Sequence, residues 1–155
     1  MADTFRIARS TTIAAPPERI APHIEDFRAW EKWSPYEKLD REMKKTFSGA
    51  ERGVGASYAW QGNSKAGAGS MTITSVTPQK IGIALHFTKP MRSENTAEFT
   101  FEPDGAGTRV TWTMIGPRNL LMKVMGVFMN MDKMIGQAFE EGLGTLRQRV
   151  ESSQN

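Results

Sequence analysis

The sequence contains no cysteine and only two histidines, His23 and His86. Without thiols there can be no disulfide, no thiolate nucleophile and no sulfur-ligated metal. Two histidines cannot furnish a histidine-rich zinc site, so neither a metal nor another cofactor is expected. An excess of either charge is also missing: 20 Lys and Arg against 17 Asp and Glu leave a formal charge of +3. Arg6, Arg9, Arg41, Lys44, Lys45 and Arg118 are interleaved with acids, and of these only Lys44 and Lys45 adjoin. That is too sparse for a footprint on a phosphate backbone, so nucleic acid is not an expected partner. No stretch approaches the roughly 18 apolar residues that would indicate a membrane span, which argues against stable membrane insertion. The opening Met1–Arg6 has no apolar run and does not read as a signal peptide; the expected location is cytoplasmic. A chain of 155 residues is expected to form one domain, 1–155, with a sizeable core.

What the chain does have is a series of alternating segments followed by one helical stripe. Phe5, Ile7, Arg9, Thr11 and Ile13 alternate with Arg6, Ala8, Ser10 and Thr12 in a first strand. Ala14-Ala15-Pro16-Pro17 ends it, and proline suits the first turn of a following helix. Ile20, Ile24 and Phe27 predict a short helix over 17–25, with a further turn or two over 27–33. Ser34-Pro35 stops it, because the residue before proline is pushed out of the α region.

Five or six more strands are expected. Leu39–Phe47 reads as a polar edge, ended by Ser48-Gly49. Tyr58 and Trp60, then Met71, Ile73 and Val76, then Ile81, Ile83, Leu85 and Phe87 each keep an apolar face. Ala97, Phe99 and Phe101 face opposite to Glu94, Glu98, Thr100 and Glu102. Asp104-Gly105-Ala106-Gly107 supplies turn chemistry, and Val110, Trp112 and Met114 form the last strand before Gly116-Pro117.

At 100° per residue, Met125, Phe128, Ile135, Phe139, Leu143, Leu146 and Val150 fall within about 80° of one another. A helix with one such stripe, laid on an antiparallel sheet, tends to enclose a cavity. The fold expected is therefore α+β: a six- or seven-stranded curved antiparallel sheet wrapped around a long C-terminal helix, with two short helices after the first strand.

Leu120–Met131 is apolar nearly all round, broken only by Lys123 and Asn130. It reads as a lid over a cavity mouth, a contact in a homodimer, or ordinary buried core. Were the helix continuous, Asp132 would fall in mid-stripe, where an unpaired carboxylate is costly or keeps its proton. Either the helix breaks at Asn130–Met131 and Asp132 serves its first turn, or Asp132 projects into a wet cavity as a ligand contact or general acid. Glu140 and Glu141 lie about 100° apart on a helix and cannot serve one substrate atom together. His86 alternates with Leu85 and Phe87 and should face outward. His23 has no carboxylate orienter nearby in sequence. No Ser-His-Asp set, phosphate loop or metal spacing can be assembled.

Four motifs occur in order. Trp30, Trp33, Ser34 and Pro35 fit W-x-x-W-S-P. Gly67–Gly69 opens a strand as GAG. Gly107, Thr108, Val110 and Trp112 fit GT-x-V-x-W. Asp132, Gly136, Phe139, Glu140, Gly142, Leu143 and Leu146 fit D-x-x-x-G-x-x-F-E-x-G-L-x-x-L. In these motifs and their order the chain resembles the START-like (SRPBCC) superfamily, and within it the polyketide cyclase/dehydrase-like branch. The resemblance implies a helix-grip fold with an apolar cavity between helix and sheet. Its members bind lipids, sterols, polyketides or aromatic products, and some are cyclases or dehydratases.

Three functions follow as expectations. The first is a container for a hydrophobic or aromatic small molecule, walled by Trp33, Tyr58, Trp60, Met71, Ile73, Leu85, Phe87, Phe99, Phe101, Trp112, Met114, Met125, Phe128 and Phe139. The second is a cyclase or dehydratase using Asp132, Tyr58 or His23 for acid–base work. The third is a protein-interaction module.

Overall fold

The first and last strands of the chain lie side by side, and that pairing closes the order of the whole sheet. The computed structural model describes residues 4–35, 42–63, 67–89, 92–117 and 131–152, the first four residues of the last stretch by backbone alone. Strand β1 (Thr4–Ile13) leads into two single helical turns, α1 (Pro17–Ile20) and α2 (Pro22–Glu25), and a 3-10 helix (Phe27–Lys32). Strands β2 (Lys44–Gly49), β3 (Ala56–Gln61), β4 (Ala68–Thr77), β5 (Lys80–Lys89), β6 (Ser93–Asp104) and β7 (Gly107–Pro117) follow, then the long helix α3 (Met131–Ser152). The sheet order is β1-β7-β6-β5-β4-β3-β2, antiparallel at every pairing. Of the six or seven strands expected, seven are present among the described residues. The polar edge strand begins at Lys44; the earlier start at Leu39 lies outside the described residues.

The helix expected over 17–25 is two turns instead of one. Ala21 closes the first by donating to the Pro17 carbonyl, and its own carbonyl accepts from Ile24 and Glu25 to start the second. Pro22 between them has no N–H to continue the ladder. Asp26 Oδ1 then accepts from the Arg28 amide (3.0 Å) and starts the 3-10 helix. Both tryptophans of that segment are pinned through their indole N–H groups. Trp30 Nε1 donates to the Ile24 carbonyl (2.8 Å) and Trp33 Nε1 to the His23 carbonyl (2.9 Å).

Cross-strand register sorts the apolar side chains onto one face. Ile7–Met114, Met114–Ala97, Ala97–Ile83 and Ile83–Ile73 pair in sequence across five strands. In β4 the register steps from Ile73↔Ile83 to Ser75↔Gly82, leaving Thr74 as an extra residue. That irregularity explains why the apolar phase runs Met71, Ile73 and then Val76: a bulge shifts the alternation by one.

Helix α3 lies over β1 and reaches β7. Phe139, Leu143, Leu146 and Val150 are buried and Ile135 half-buried, as the stripe requires; Met125 and Phe128 lie outside the described residues. The helix sits close because Gly142 has no side chain. A Cβ there would come within 2.8 Å of Pro35 Cδ and 3.0 Å of Trp112 Cζ3. Gly144, two residues on, has nothing within 4 Å. Alanine at the two sites should therefore act in opposite directions. Gly144→Ala should stabilise by about 0.5–1 kcal/mol through helix propensity alone. Gly142→Ala gains the same term but must push apart a proline ring and a packed indole, which typically costs about 1–3 kcal/mol. Urea melts of the pair should move the midpoint up for the first and down for the second.

Candidate functional site

The inner face of the sheet divides into two zones. The first is closed. Trp112 of β7 stacks on Phe139 of α3 with ring centroids 4.0 Å apart and planes 9° from parallel, and on Phe99 of β6 at 5.0 Å. Trp30 and Trp33 meet Phe99 and Trp112 edge-on at 5.5–6.0 Å, within the range where aromatic pairs attract beyond simple burial. Trp33, Ile73, Phe99, Phe101, Trp112 and Phe139, six of the residues expected to form a wall, are all buried and packed on one another or on the same core.

The second zone, on β3, β4 and β5, is only half covered. Trp60 stands opposite Gly69, and its ring lies across that glycine: a Cβ on Gly69 would sit 2.8 Å from the indole Cη2. The same ring meets Phe87 of β5 edge-on at 5.9 Å. Met71 pairs with Tyr58 on one side and Leu85 on the other. Tyr58 and Leu85 are buried, but Trp60, Met71 and Phe87 are half-buried, although all three pack against the core. Met114 is buried nearby on β7. Large apolar side chains on an inward face that remain partly open leave its apolar surface incompletely covered.

Asn95 also lies on this inner face and was not among the residues picked out in the sequence. Its signal was available, because it is in phase with Ala97, Phe99 and Phe101. It is buried, and its Oδ1 has no hydrogen-bond partner. An unpaired buried acceptor ordinarily costs about 1–3 kcal/mol.

Of the three acid–base candidates, the two with described side chains, Tyr58 and His23, have different neighbours. The side chain of Asp132 lies outside the described residues. Tyr58 is packed between the rings of Phe27 and Phe47, at 5.9 and 5.2 Å. His23, half-buried on α2, faces the positive charges of Arg149 and Lys32. Burial first, then those two cations, hold its imidazole below the usual histidine range, so it is neutral at pH 7. His86 is exposed, as are Glu94 and Glu102, while Glu98 pairs with Lys80 at 3.4 Å. Glu140 reaches a strand: its Oε2 accepts from Arg9 Nε at 3.0 Å. The Arg9 side chain runs past Gly136, where a Cβ would collide with the guanidinium. Among the described residues no three His, Asp or Glu side chains converge to hold a metal ion. Nor, among them, is any helix long and apolar enough to cross a membrane.

With this geometry in view, comparison with known families is decisive. The family model described as "Polyketide cyclase / dehydrase and lipid transport" matches residues 4–151. The chain belongs to that family. Membership in the polyketide cyclase/dehydrase and lipid-transport family implies, in general terms, a hydrophobic ligand. No protein of curated function matches the chain. Solved structures share its fold at low identity. Protein CV1439 from Chromobacterium violaceum is 17% identical, with a TM-score of 0.63 over 97% of this chain and 99% of that one. The Aha1 dimer from Colwellia psychrerythraea is 17% identical, with a TM-score of 0.64 over 97% and 99%. Protein Ms6760 from Mycobacterium smegmatis is 21% identical, with a TM-score of 0.61 over 99% and 95%. At these identities the likeness speaks for the helix-grip fold alone.

Proposed function

We propose that this family member binds an apolar small molecule, of lipid or polyketide-like character, between the sheet and the C-terminal helix. The ligand rests on Trp60, Met71, Leu85, Phe87 and Met114. Tyr58, Ile73, Phe99, Phe101, Trp112, Trp33 and Phe139 form the packed floor beneath and beside it. Met125 and Phe128 join the wall on the strength of the helical stripe alone. The observation that carries this reading is that Trp60, Met71 and Phe87, neighbours across β3, β4 and β5, are only half-buried on the inner face, whereas Phe99, Phe101 and Trp112 on β6 and β7 are buried. Fully burying a large apolar side chain is worth about 1.5–3 kcal/mol, and these three gain the fraction still uncovered, so a ligand is held by that remainder together with the burial of its own apolar surface, without any charge pairing. Binding is favoured over ring-closing chemistry because Tyr58 and His23, the two described acid–base candidates, have different neighbours and do not address one substrate atom.

Native mass spectrometry of the protein as purified, followed by thermal denaturation against an apolar library, tests this. A co-purified apolar adduct is expected. A ligand at a hundred times its Kd should raise Tm by roughly 5–10 °C. No adduct and no shift with any apolar compound would overturn the reading.

A further inference from the structure

Among the described residues one buried side-chain polar atom lacks a hydrogen-bond partner, Asn95 Oδ1. The residue is 5% exposed, and its amide is held from one end. Nδ2 donates to the Leu85 carbonyl (3.4 Å) and to Ser93 Oγ (3.1 Å). A backbone carbonyl can only accept, so the nitrogen must face Leu85 and the oxygen must face away from it. Away from Leu85 lies β7. There a Cβ on Gly116 would run into Oδ1 and come within 2.9 Å of the Phe5 ring. Glycine at 116 thus keeps the place of the amide oxygen clear. The surface is apolar on both sides of the amide: toward β5 Leu85 pairs with Asn95 and Met71 with Leu85, and toward β7 Phe5 pairs with Gly116 and Met114 is buried two residues before it.

We propose that Asn95 Oδ1 is the polar anchor of this site, accepting a hydrogen bond from a hydroxyl group on an otherwise apolar ligand. The inference rests on the apolar-ligand reading above and narrows it to hydroxyl-bearing molecules, phenols or long-chain alcohols. An unpaired buried acceptor gains from a donor and repels another lone pair. A hydroxyl is therefore taken and the matching ether refused, because a polar site rejects the analogue that leaves its buried group unpaired.

Isothermal titration with two matched pairs tests this: 2-naphthol against 2-methoxynaphthalene, and 1-decanol against its methyl ether. In the wild-type protein at least one alcohol should bind ten or more times more tightly than its ether, and the pair that responds identifies the ligand body as aromatic or aliphatic. Asn95→Leu should abolish the preference while leaving ether affinity within about threefold. Gly116→Ala, whose Cβ would displace the amide oxygen while keeping the asparagine, should do the same. Alcohols and ethers binding alike to the wild type would overturn the anchor while the apolar-ligand reading stands. So would a preference that survives in Asn95→Leu. Binding of none of the four compounds would also overturn the anchor, since neither class of alcohol is then taken, while the apolar-ligand reading is decided by the library and adduct measurements above. The wild-type comparison needs no variant to fold.

Discussion

Trp112→Ala should lower stability by about 3–5 kcal/mol, the usual cost of emptying a large aromatic site in a rigid core. The indole touches four other rings: it stacks on Phe139 and Phe99 and takes the edges of Trp30 and Trp33. Those neighbours come from the long helix, strand β6 and the 3-10 helix, so removing Trp112 unties three elements at once. They cannot collapse into the gap. Trp30 and Trp33 are held by indole hydrogen bonds to backbone carbonyls, and Trp112 itself is set by pairing to Arg9 on one side and Phe99 on the other. Against the roughly 5–15 kcal/mol that holds a typical domain together, such a loss takes a large share. Urea denaturation followed by circular dichroism would measure it. A loss under about 1 kcal/mol would mean that the aromatic cluster is not the keystone described here.

The second large effect is expected at Gly69. Alanine there would drive its Cβ into the His86 carbonyl oxygen on the neighbouring strand and against the Trp60 ring. The carbonyl is backbone in a paired strand and cannot swing aside, so the strands must part or the register must slip. Overpacking of this kind costs about 1–3 kcal/mol. Because the Trp60 ring lies on the glycine, the substitution should also disturb the half-covered zone and weaken binding of an apolar ligand by tenfold or more. Gly144→Ala serves as the control, since it adds the same methyl where nothing is in reach. Ligand affinity unchanged in Gly69→Ala would separate Trp60 from the site.

Much of this fold was legible in the sequence, for identifiable reasons. The period-two run Ile81, Ile83, Leu85 and Phe87 lies on one strand with the first three buried. Gly142 of the closing motif is a point of close approach to both a strand residue, Trp112, and the proline of the tryptophan turn, Pro35. The helical stripe buries Phe139, Leu143, Leu146 and Val150 together because a period of 3.6 residues fixes a face whatever it packs on. Other features depended on partners distant in the chain. The bulge at Thr74 was visible only as an unexplained change of phase, since a bulge is defined by the strand opposite. Over 17–25 the apolar spacing is continuous and predicts one helix, while the missing N–H of Pro22 divides it.

The candidate site was less legible than the fold. Alternation names an inward face but not how deeply each side chain is covered. Phe99 and Trp60 therefore look equivalent in sequence, yet one is sealed among three aromatic rings and the other is half open. Asn95 went unnoticed because it shares a strand with Glu94, Glu98 and Glu102 and reads as one more polar residue. Its unpaired oxygen becomes meaningful only when Gly116 of the next strand stands beside it.

The most direct measurement is a crystal structure of the protein with an apolar ligand identified by mass spectrometry or titration. The ligand should lie against Trp60, Met71 and Phe87, with Trp112 still stacked on Phe139 as in the free protein. A ligand wedged between Trp112 and Phe139, or seated on the outer face of the sheet beside His86 and Glu94, would contradict the division of the interior into a closed floor and an open binding face.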